Sequence, residues 1–385
     1  MHQPTISAHP LAAFDWQPRT RLIFGPGSLA RVGELAAELG GQRVLLVTDR
    51  GIAAAGHVER AEQALRAAGL SVAIYDEVQE NPTTKDVAQC LEVARRAEVN
   101  LFVGLGGGSS MDTAKGCNFI LTNGGEMKDY WGVGKATRAM LPLIAIPTTA
   151  GTGSECQSAA LIADEATHQK MACLDAKAAA KIALLDPELT LSQPAGVTAC
   201  TGIDAIAHAV ETAVTKKRTA LSAVFSREGF RLCNGAFAKV LAEPGDLTAR
   251  GEMQLGAAYA GMAIEASMLG AAHSAANPLT AHHEIPHGRA VGLMLPAVIR
   301  FNAADAEASA GYQGLCTAGG LRDAEHLAQR IEELLVVAGL HGRLGELGVT
   351  NVPMLAEEAA RQWTATFNPR SIAANDFVQL YESML

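Results

Sequence analysis

The sequence contains few aromatic residues and no excess of positive charge. Phe, Trp and Tyr together make up 5% of the 385 residues, which argues against base stacking as the main means of ligand binding. Lys and Arg number 31 against 40 Asp and Glu, so the formal net charge at pH 7 is −9. An acidic chain lacks the positive surface that binds phosphate backbones. We therefore expect no nucleic-acid partner.

The sequence also lacks paired cysteines, a basic N-terminal segment and long uninterrupted hydrophobic runs. None of its seven cysteines forms a C-x-x-C pair, which is typical of reduced thiols in the cytoplasm. The first basic residue is Arg19, so the start of the chain has neither the basic region of a signal peptide nor the Arg-rich character of a transit peptide. Polar residues or proline interrupt each apolar stretch before it reaches a membrane-spanning length. We therefore expect a cytoplasmic protein with no membrane partner.

The first half of the chain alternates apolar β-type runs with amphipathic segments. The predicted strands are residues 43–48, 70–75, 100–105, 140–146 and 181–185, and the helices between them include 57–69 and 85–98. Such alternation predicts βαβ units and a mostly parallel sheet. We therefore expect residues 1–188 to form an α/β domain with its ligands at the carboxyl ends of the strands.

The second half shows helical periodicity and few strand-like runs. The predicted helices are residues 203–213, 219–242, 249–266, 288–301, 324–339 and 353–363. This pattern predicts an all-α domain over residues 189–385. A cleft between two such domains is a common place for an active site.

Two loops rich in glycine and hydroxyl groups follow strands of the predicted sheet. Residues 103–116 read VGLGGGSSMDTAKG, and residues 147–155 read PTTAGTGSE. Glycines before a helix N-terminus let backbone N–H groups approach an anion, although a cluster of glycines can also be a plain tight turn. Neither loop matches G-x-G-x-x-G or the P-loop pattern. Two such loops on one sheet predict a dinucleotide-binding domain, with Thr148, Thr149 and Thr152 able to bond phosphate, ribose or nicotinamide.

Asp49 ends the first predicted strand and bears on the choice of nucleotide. A carboxylate at this place accepts a hydrogen bond from the ribose 2′-OH and repels a 2′-phosphate, which favours NAD over NADP. Alternatively, Asp49 is a solvated turn residue, and the neighbouring Arg50 weakens the charge argument. The acid precedes the glycine cluster by about 60 residues, whereas in the Rossmann fingerprint it follows by about 20. The domain is therefore expected to be a relative of the Rossmann fold rather than a member.

The helical half contains a set of metal-ligand residue types. Asp204 and His208 are four residues apart and share a helix face. Four of the eleven histidines, His273, His282, His283 and His287, lie within the segment HSAANPLTAHHEIPHG at 273–288. Asp with imidazoles suits Fe²⁺ or Zn²⁺ better than Mg²⁺ or Ca²⁺. A lone histidine within a helix is more often an ordinary core or surface residue, so the prediction depends on the two segments together.

These motifs together resemble the iron-containing (group III) alcohol dehydrogenase family, which has a dehydroquinate-synthase-like fold. The resemblance covers nearly the whole chain: FGPGS at 24–28, VTD at 47–49, NPT at 81–83, GGGSSMDTAK at 106–115, PTTAGTGSE at 147–155, DAIAH at 204–208, the segment 273–288 and FNPR at 367–370. It implies an N-terminal α/β dinucleotide-binding domain and a C-terminal all-α metal-binding domain. It also implies NAD and Fe²⁺ as cofactors, with Zn²⁺ as the other candidate metal, and we expect a homodimer or a higher homo-oligomer.

The resemblance also implies site residues. The metal ligands are Asp204, His208, His273 and His287. The cofactor contacts are Asp49, Asn81, Gly108, Ser109, Thr148, Thr149, Thr152 and Lys170, to which we add Gly107 and Asp112 from the glycine-rich segment.

One position departs from the family pattern. Many members have a histidine four residues after the first ligand of the 273–288 segment, and this chain has Asn277. An amide orients a substrate by hydrogen bonding but cannot relay a proton near neutral pH. We predict that His283, rather than His282, lines the cleft and takes part in proton transfer. Alternatively, both are exposed loop histidines.

The function that these features predict is reversible hydride transfer between NAD and a small alcohol, diol or hydroxy acid. The metal would act as a Lewis acid on the substrate oxygen and stabilise the alkoxide from which hydride leaves. The main alternative is a lyase of the dehydroquinate-synthase type, which needs several basic residues around a phosphorylated, carboxylated substrate. Arg289 is the nearest basic residue to the metal motifs. A non-enzymatic metal- or nucleotide-binding protein is the third alternative.

Overall fold

A computed structural model of the chain describes residues 14–167 and 169–385. The first thirteen residues, which contribute to the expectation that there is no signal peptide, lie outside the described residues. Nine strands are present in that part: β1 Arg21–Phe24, β2 Arg43–Val47, β3 Ser71–Tyr75, β4 Leu101–Gly106, β5 Gly132–Val133, β6 Leu143–Pro147, β7 Ala159–Ala163, β8 Lys170–Leu174 and β9 Ile182–Leu185.

Helices separate the strands in the first half and fill the second half. The helices of the first half are α1 Val32–Glu38, α2 Arg50–Ala54, α3 His57–Ala67, α4 Thr84–Arg96 and α5 Gly108–Asn123. Those of the second half are α6 Ala195–Thr212, α7 Ala220–Ala242, α8 Leu247–Ser267, α9 Ala271–His283, α10 His287–Asn302, α11 Ala306–Gly319, α12 Ala324–Val337, α13 Val352–Arg361 and α14 Ala374–Glu382. The predicted fold class, a mostly parallel α/β region followed by an all-helical region, is confirmed.

The main sheet has six strands in the order β1-β9-β6-β4-β2-β3, and all neighbouring strands are parallel. Successive side chains of a strand point to opposite faces of the sheet, and helices cover both faces. The central strands are therefore buried on both sides. Val44 and Leu46 of β2 pack with the residues of α1 and α3. Leu45 and Val47 of the same strand pack with residues of α4 and α5 on the other face. This two-sided burial explains why β2, β4, β6 and β9 read as continuous apolar runs in the sequence.

A second, smaller sheet was not predicted. It has the order β5-β8-β7, with β7 and β8 antiparallel. The short edge strand β1, which is partly exposed, was also missed. Among the helices, α1, α2, α9, α11 and α14 were not predicted. The five-residue α2 is too short to show a periodic pattern, and Pro278 lies inside α9, where proline argues against a helix.

Helix α6 lies at the centre of the helical half, packed against α7, α8 and α10. Every side chain from Gly202 to Thr212 is buried, which is typical of a helix that is covered on all sides. Among the described residues, no single helix has the length and apolar character to cross a membrane. Helices α8 and α9 meet those two criteria only when taken together, across a bend of 106°.

The two halves of the molecule are joined through α8. The buried Gln254 carboxamide donates to the carbonyl oxygens of Pro147, at 3.1 Å, and Asp186, at 3.4 Å. These two residues lie at the carboxyl ends of β6 and β9. Two turns further along α8, Gly261 lies against Gly153: a Cβ atom added to Gly153 would lie 2.6 Å from the Gly261 Cα. Helix α8 therefore contacts the edge of the sheet where ligands are expected.

Candidate active site

Two loops lie side by side at the carboxyl edge of the sheet. The glycine loop (106–109) follows β4, and the threonine loop (147–155) follows the neighbouring β6. Gly106 is paired with Pro147 in the sheet, and the Thr148 N–H donates to the Gly106 carbonyl oxygen at 2.9 Å. A Cβ atom on Gly108 would lie 3.0 Å from the Thr152 hydroxyl oxygen. A larger side chain at residue 108 would require Thr152 to shift, so the close approach of the loops favours glycine at this position.

A cleft of about 780 Å³ opens over these loops, within the usual size of small-molecule sites. Five of the residues predicted to bind the cofactor line it: Asp49, Gly107, Ser109, Thr148 and Thr149. Ser192, Gln193 and Val197, from the segment that leads into the helical half, line the same cleft. The cleft therefore lies between the sheet and the first helix of the helical half.

The end of the cleft near Asp49 is acidic. The Asp49 carboxylate accepts the Ile52 N–H at 3.0 Å and so caps α2. The neighbouring Arg50 guanidinium lies 3.0 Å from the Glu77 carboxylate. Asp76, Glu77 and Glu80 all line the cleft. Arg50 thus has an acidic partner, and the carboxylates that line this end of the cleft outnumber its two cations, Arg50 and Lys85. This favours NAD over NADP, while the role of Asp49 in that choice stays a prediction.

The other five predicted cofactor residues are not among those that line the cleft. Gly108 and Thr152 lie against each other between the two loops, and the remaining three fall into two groups. Asn81 and Lys170 lie together, with the Lys170 Nζ 3.5 Å from the Asn81 side-chain oxygen, and neither is among the residues that line the cleft. Asp112 is turned towards the interior: its carboxylate accepts the Ser154 hydroxyl at 2.7 Å and the Leu161 N–H at 3.2 Å. These contacts place Asp112 behind the threonine loop, where it supports Ser154.

Lys115 is a buried part of the same support that the sequence analysis missed. Its fully buried ammonium group donates to the Ser154 carbonyl oxygen at 2.7 Å, the Ser154 hydroxyl at 2.9 Å and the Ala159 carbonyl oxygen at 2.9 Å. Burial lowers the pKa of Lys115 and raises the pKa of the neighbouring Asp112. A lysine within the otherwise uncharged and buried stretch after Asp112 was the signal that could have identified it.

The four predicted metal ligands come from three helices and meet in one place. Asp204 and His208 lie on α6, His273 lies in the first turn of α9, and His287 begins α10. The Asp204 Oδ1 atom lies 3.5 Å from His208 Nε2, 3.4 Å from His273 Nε2 and 3.9 Å from His287 Nε2. Ligand atoms of Asp204, His208 and His273 all lie within 4.8 Å of one another. The prediction that these residues come together from distant parts of the chain agrees with this geometry.

The donor set fits a first-row divalent metal. Asp204 Oδ1 and His273 Nε2 are buried and have no hydrogen-bond partner, which is costly unless another group satisfies them. Burial raises the pKa of Asp204, but the surrounding imidazoles outweigh it and bring the pKa below its ordinary value. Burial lowers the pKa of His208, and it lowers that of His287 to about 3. These three groups therefore carry free lone pairs at neutral pH, as metal binding requires.

Glu211 is a buried carboxylate beside the cluster that the sequence analysis did not identify. It lies on the same face of α6 as Asp204 and His208, and its side chain contacts the Nδ1 atom of His273. Burial lowers the pKa of His273, but the carboxylates of Glu211 and Asp204 together outweigh this and raise it to about 9. The spacing of Asp204, His208 and Glu211, at positions i, i+4 and i+7 of one helix, was the available signal.

Asn277 and the two histidines weighed for proton transfer, His282 and His283, lie further along α9. Asn277 is half-buried one turn after His273 and donates to the Gln362 side-chain oxygen at 3.1 Å. His282 is exposed and lies 2.8 Å from the Glu358 carboxylate. His283 is the last residue of α9, about 15 Å along the helix axis from His273, and its Nε2 atom is buried without a hydrogen-bond partner. His282 is therefore exposed and already paired with Glu358, whereas the Nε2 atom of His283 is buried and unpaired. A role for His283 in proton transfer stays a prediction.

The threonine loop connects the cofactor cleft to the metal cluster. Thr148 and Thr149 line the cleft, and Gly151 of the same loop packs on α6, where its added Cβ would lie 2.5 Å from the Thr201 Cβ. Thr201 is one turn before Asp204 on the same helix. A single short loop therefore separates the expected nicotinamide site from the helix that carries two candidate metal ligands.

Comparison with known proteins agrees with this architecture. Residues 18–187 match the family model described as iron-containing alcohol dehydrogenase, and residues 198–385 match that of the Fe-containing alcohol dehydrogenase family, C-terminal. The chain is 33% identical to the NAD-dependent methanol dehydrogenase of Bacillus methanolicus, over 94% of this chain and 97% of that one. It is 34% identical to the 1,3-propanediol dehydrogenase of Klebsiella pneumoniae, over 93% and 95%.

The solved structures lead to the same family. The crystal structure of a 1,3-propanediol oxidoreductase superposes on this chain with a TM-score of 0.93 at 31% identity, covering 97% of this chain and 100% of that one. The regions matched by the two family models include both loops of the cofactor cleft and all four residues of the Asp–His cluster. The chain belongs to the iron-containing alcohol dehydrogenase family.

Proposed function

We propose that the protein catalyses reversible, NAD(H)-linked interconversion of a small alcohol and its aldehyde or ketone. The observation that carries the proposal is the convergence of Asp204, His208, His273 and His287 beside the loop that lines the dinucleotide cleft. A divalent iron or zinc ion held by these four residues would supply a Lewis acid for the substrate oxygen. The names of relatives that act on methanol and 1,3-propanediol favour a short alcohol or diol as the substrate.

In this proposal the remaining residues bind and position the cofactor. The glycine loop offers backbone N–H groups at the N-terminus of α5 for the pyrophosphate. Asp49 accepts from the adenosine ribose, and Thr148, Thr149 and Thr152 offer hydroxyl groups. Asn277, one turn after His273, would orient the substrate, and His283, about 15 Å along the helix axis from His273, would take part in proton transfer through a relay rather than by direct contact. The lyase alternative is not favoured, because the Arg289 guanidinium donates to the carbonyl oxygens of Leu340 and His341 and is thereby occupied.

We also propose where the domain boundary lies, which compartment the protein occupies and that it self-associates. A boundary at residues 188 and 189 separates a cofactor domain from a metal domain. All seven cysteines are free in the described part of the chain, six of them buried, which supports a reducing compartment such as the cytoplasm. Phe24, on the edge strand β1, is 44% exposed, and an exposed apolar side chain at the edge of a sheet supports self-association.

The test is a spectrophotometric assay at 340 nm. The protein, stripped of metal and then supplied with Fe²⁺ or Zn²⁺, should oxidise NADH with a panel of short aldehydes and reduce NAD with the matching alcohols. His208→Ala should abolish both directions and metal binding, while His282→Ala, a surface histidine paired with Glu358, should leave both intact. Absence of turnover with every substrate in the metal-loaded protein would refute the proposal.

A further inference from the structure

The Glu211 carboxylate makes contacts to two consecutive residues of α9. One oxygen, Oε1, accepts the Ala272 N–H at 2.7 Å. The other, Oε2, contacts the Nδ1 atom of His273. The side chain is buried, with 3% of its residue surface exposed. Glu211 is therefore fully engaged at the N-terminus of the helix that carries one of the candidate metal ligands.

The start of α9 needs such acceptors because the first N–H groups of a helix have no partner within it. Glu211 takes the N–H of Ala272, and the side-chain oxygen of Asn368, from the FNPR segment, takes that of Ala271 at 3.3 Å. A Cβ on Gly270 would lie 3.2 Å from both acceptor oxygens. The glycine thus leaves room for both side chains, and the position of His273 in the helix is fixed.

The second contact of Glu211 decides which nitrogen of His273 carries a proton. A carboxylate oxygen only accepts, so the imidazole nitrogen that faces it, Nδ1, must be the donor. The lone pair of the neutral ring then lies on Nε2. This is the nitrogen that lies 3.4 Å from Asp204 Oδ1 and has no hydrogen-bond partner.

We infer that Glu211 is a positioning residue that holds His273 as the Nδ1–H tautomer and directs its Nε2 lone pair at the metal. The inference rests on the proposed metal site and adds to it a residue outside the ligand set. A carboxylate behind a ligating histidine fixes the ring and raises its basicity as a ligand. Glu211 does this from the same helix that supplies Asp204 and His208, so α6 places three of the four ligands.

A Glu211→Gln variant separates this role from simple capping of the helix. The amide oxygen of the substituted side chain can still accept the Ala272 N–H, so the start of α9 keeps its partner. The amide NH₂ then faces Nδ1, and two donors cannot satisfy each other. The ring would have to place its proton on Nε2, where it blocks the metal.

Glu265→Gln is the matched control. Glu265 is also a partly buried carboxylate on a helix, and it accepts the Ser158 N–H at 2.9 Å and the Ser158 hydroxyl at 2.7 Å, but it touches no histidine of the described chain. The full-length proteins are stripped with chelator, and Zn²⁺ and Co²⁺ affinities are measured by competition with a chromogenic chelator. Thermal unfolding of the metal-free proteins is measured in parallel.

We expect Glu211→Gln to bind both metals about 10- to 100-fold more weakly than the wild type. The melting temperature of the metal-free variant should differ little from that of the metal-free wild type. Glu265→Gln should bind them as the wild type does. Wild-type affinity in Glu211→Gln would overturn the inference and leave the metal site standing. Failure of the wild type itself to bind one ion per chain would refute the metal site and the inference with it.

A measurement on the wild type alone keeps the inference testable if the variant does not fold. In the zinc-loaded protein labelled with ¹⁵N-histidine, long-range proton–nitrogen spectra report the protonated ring nitrogen of each histidine. We expect His273 to carry its proton on Nδ1. A proton on Nε2 would overturn the assignment.

Discussion

The contact between Gly153 and Gly261 gives a sharp prediction about how the threonine loop is held. Gly153 has φ +62, and an added Cβ would lie 2.6 Å from the Gly261 Cα and 3.0 Å from the Ala257 carbonyl oxygen. Both neighbours are backbone atoms of α8, which cannot rotate away as a side chain can. Gly153→Ala must therefore displace the loop, the helix or both.

The expected loss of stability has two parts. The left-handed conformation costs a residue with a Cβ about 1–2 kcal/mol. Forcing an extra methyl group into a packed contact costs a further 1–3 kcal/mol, roughly. Gly153→Ala should therefore lower the free energy of unfolding by about 2–5 kcal/mol. Gly320→Ala is the control, because Gly320 has φ +71 and nothing within 4 Å of an added Cβ. Its free energy of unfolding should fall only by the cost of the left-handed conformation, about 1–2 kcal/mol.

Denaturant unfolding of the three proteins measures the loss, and titration with NADH fluorescence measures the effect on the cofactor. Since Gly153 follows Thr152 directly, a shift of the loop should weaken NADH binding in Gly153→Ala and leave it unchanged in Gly320→Ala. Equal losses of stability in the two variants, with unchanged NADH binding in both, would show that the contact with α8 does not position the loop.

The site and its surroundings give four further predictions. Asp49→Asn keeps an acceptor for the Ile52 N–H but removes the charge, so the ratio of kcat/KM for NADPH to that for NADH should rise about tenfold; an unchanged ratio would contradict the role of Asp49. His287→Ala should lose bound metal and turnover together, and full occupancy by elemental analysis would count against it as a ligand. His283→Ala should lower kcat by about 10²- to 10⁴-fold at normal metal content; wild-type kcat across pH 6 to 9 would end the relay hypothesis. Burial raises the pKa of Glu155 from 4.5 to about 7, so its contribution to stability is present below pH 4.5 and lost as pH rises through 7. Glu155→Gln does not titrate, so its free energy of unfolding should rise relative to that of the wild type by up to about 3 kcal/mol between pH 5 and pH 8. Parallel plots of stability against pH for the two proteins would refute this.

Sequence periodicity predicted the buried strands and the long helices, because their burial is periodic or complete. It missed four strands, β1, β5, β7 and β8. These strands are short, β1 lies at the edge of the main sheet and the others form the small sheet, and all four expose part of their apolar side chains. Helix α9 was missed as an element because Pro278 interrupts its pattern, even though its histidines were recognised.

The candidate ligands were predictable because their residue types are unusual and their spacings match a known family. The supporting residues were not. Lys115 and Glu211 act through contacts to backbone groups and to one ring nitrogen, and these partners lie 39 to 62 residues away in the chain. No local pattern specifies such a contact. Asp112 shows the converse case, since its place in the glycine-rich motif suggested the cofactor while its carboxylate bonds Ser154 and Leu161.

The position of Gln254 between the ends of β6 and β9 has a consequence for how the protein unfolds. Around it, Ala183 and Leu185 of β9 and Cys156, which directly follows the threonine loop, share one buried apolar cluster with Ala258 of α8. If the helical half unfolded alone, this cluster would meet water, and the carbonyl groups of Pro147 and Asp186 would lose their donor. The proposed boundary near residue 188 would therefore not separate two cooperative units, and the sheet and the helices should melt in a single transition. An isolated cofactor half would be an aggregation-prone fragment rather than a small binding protein.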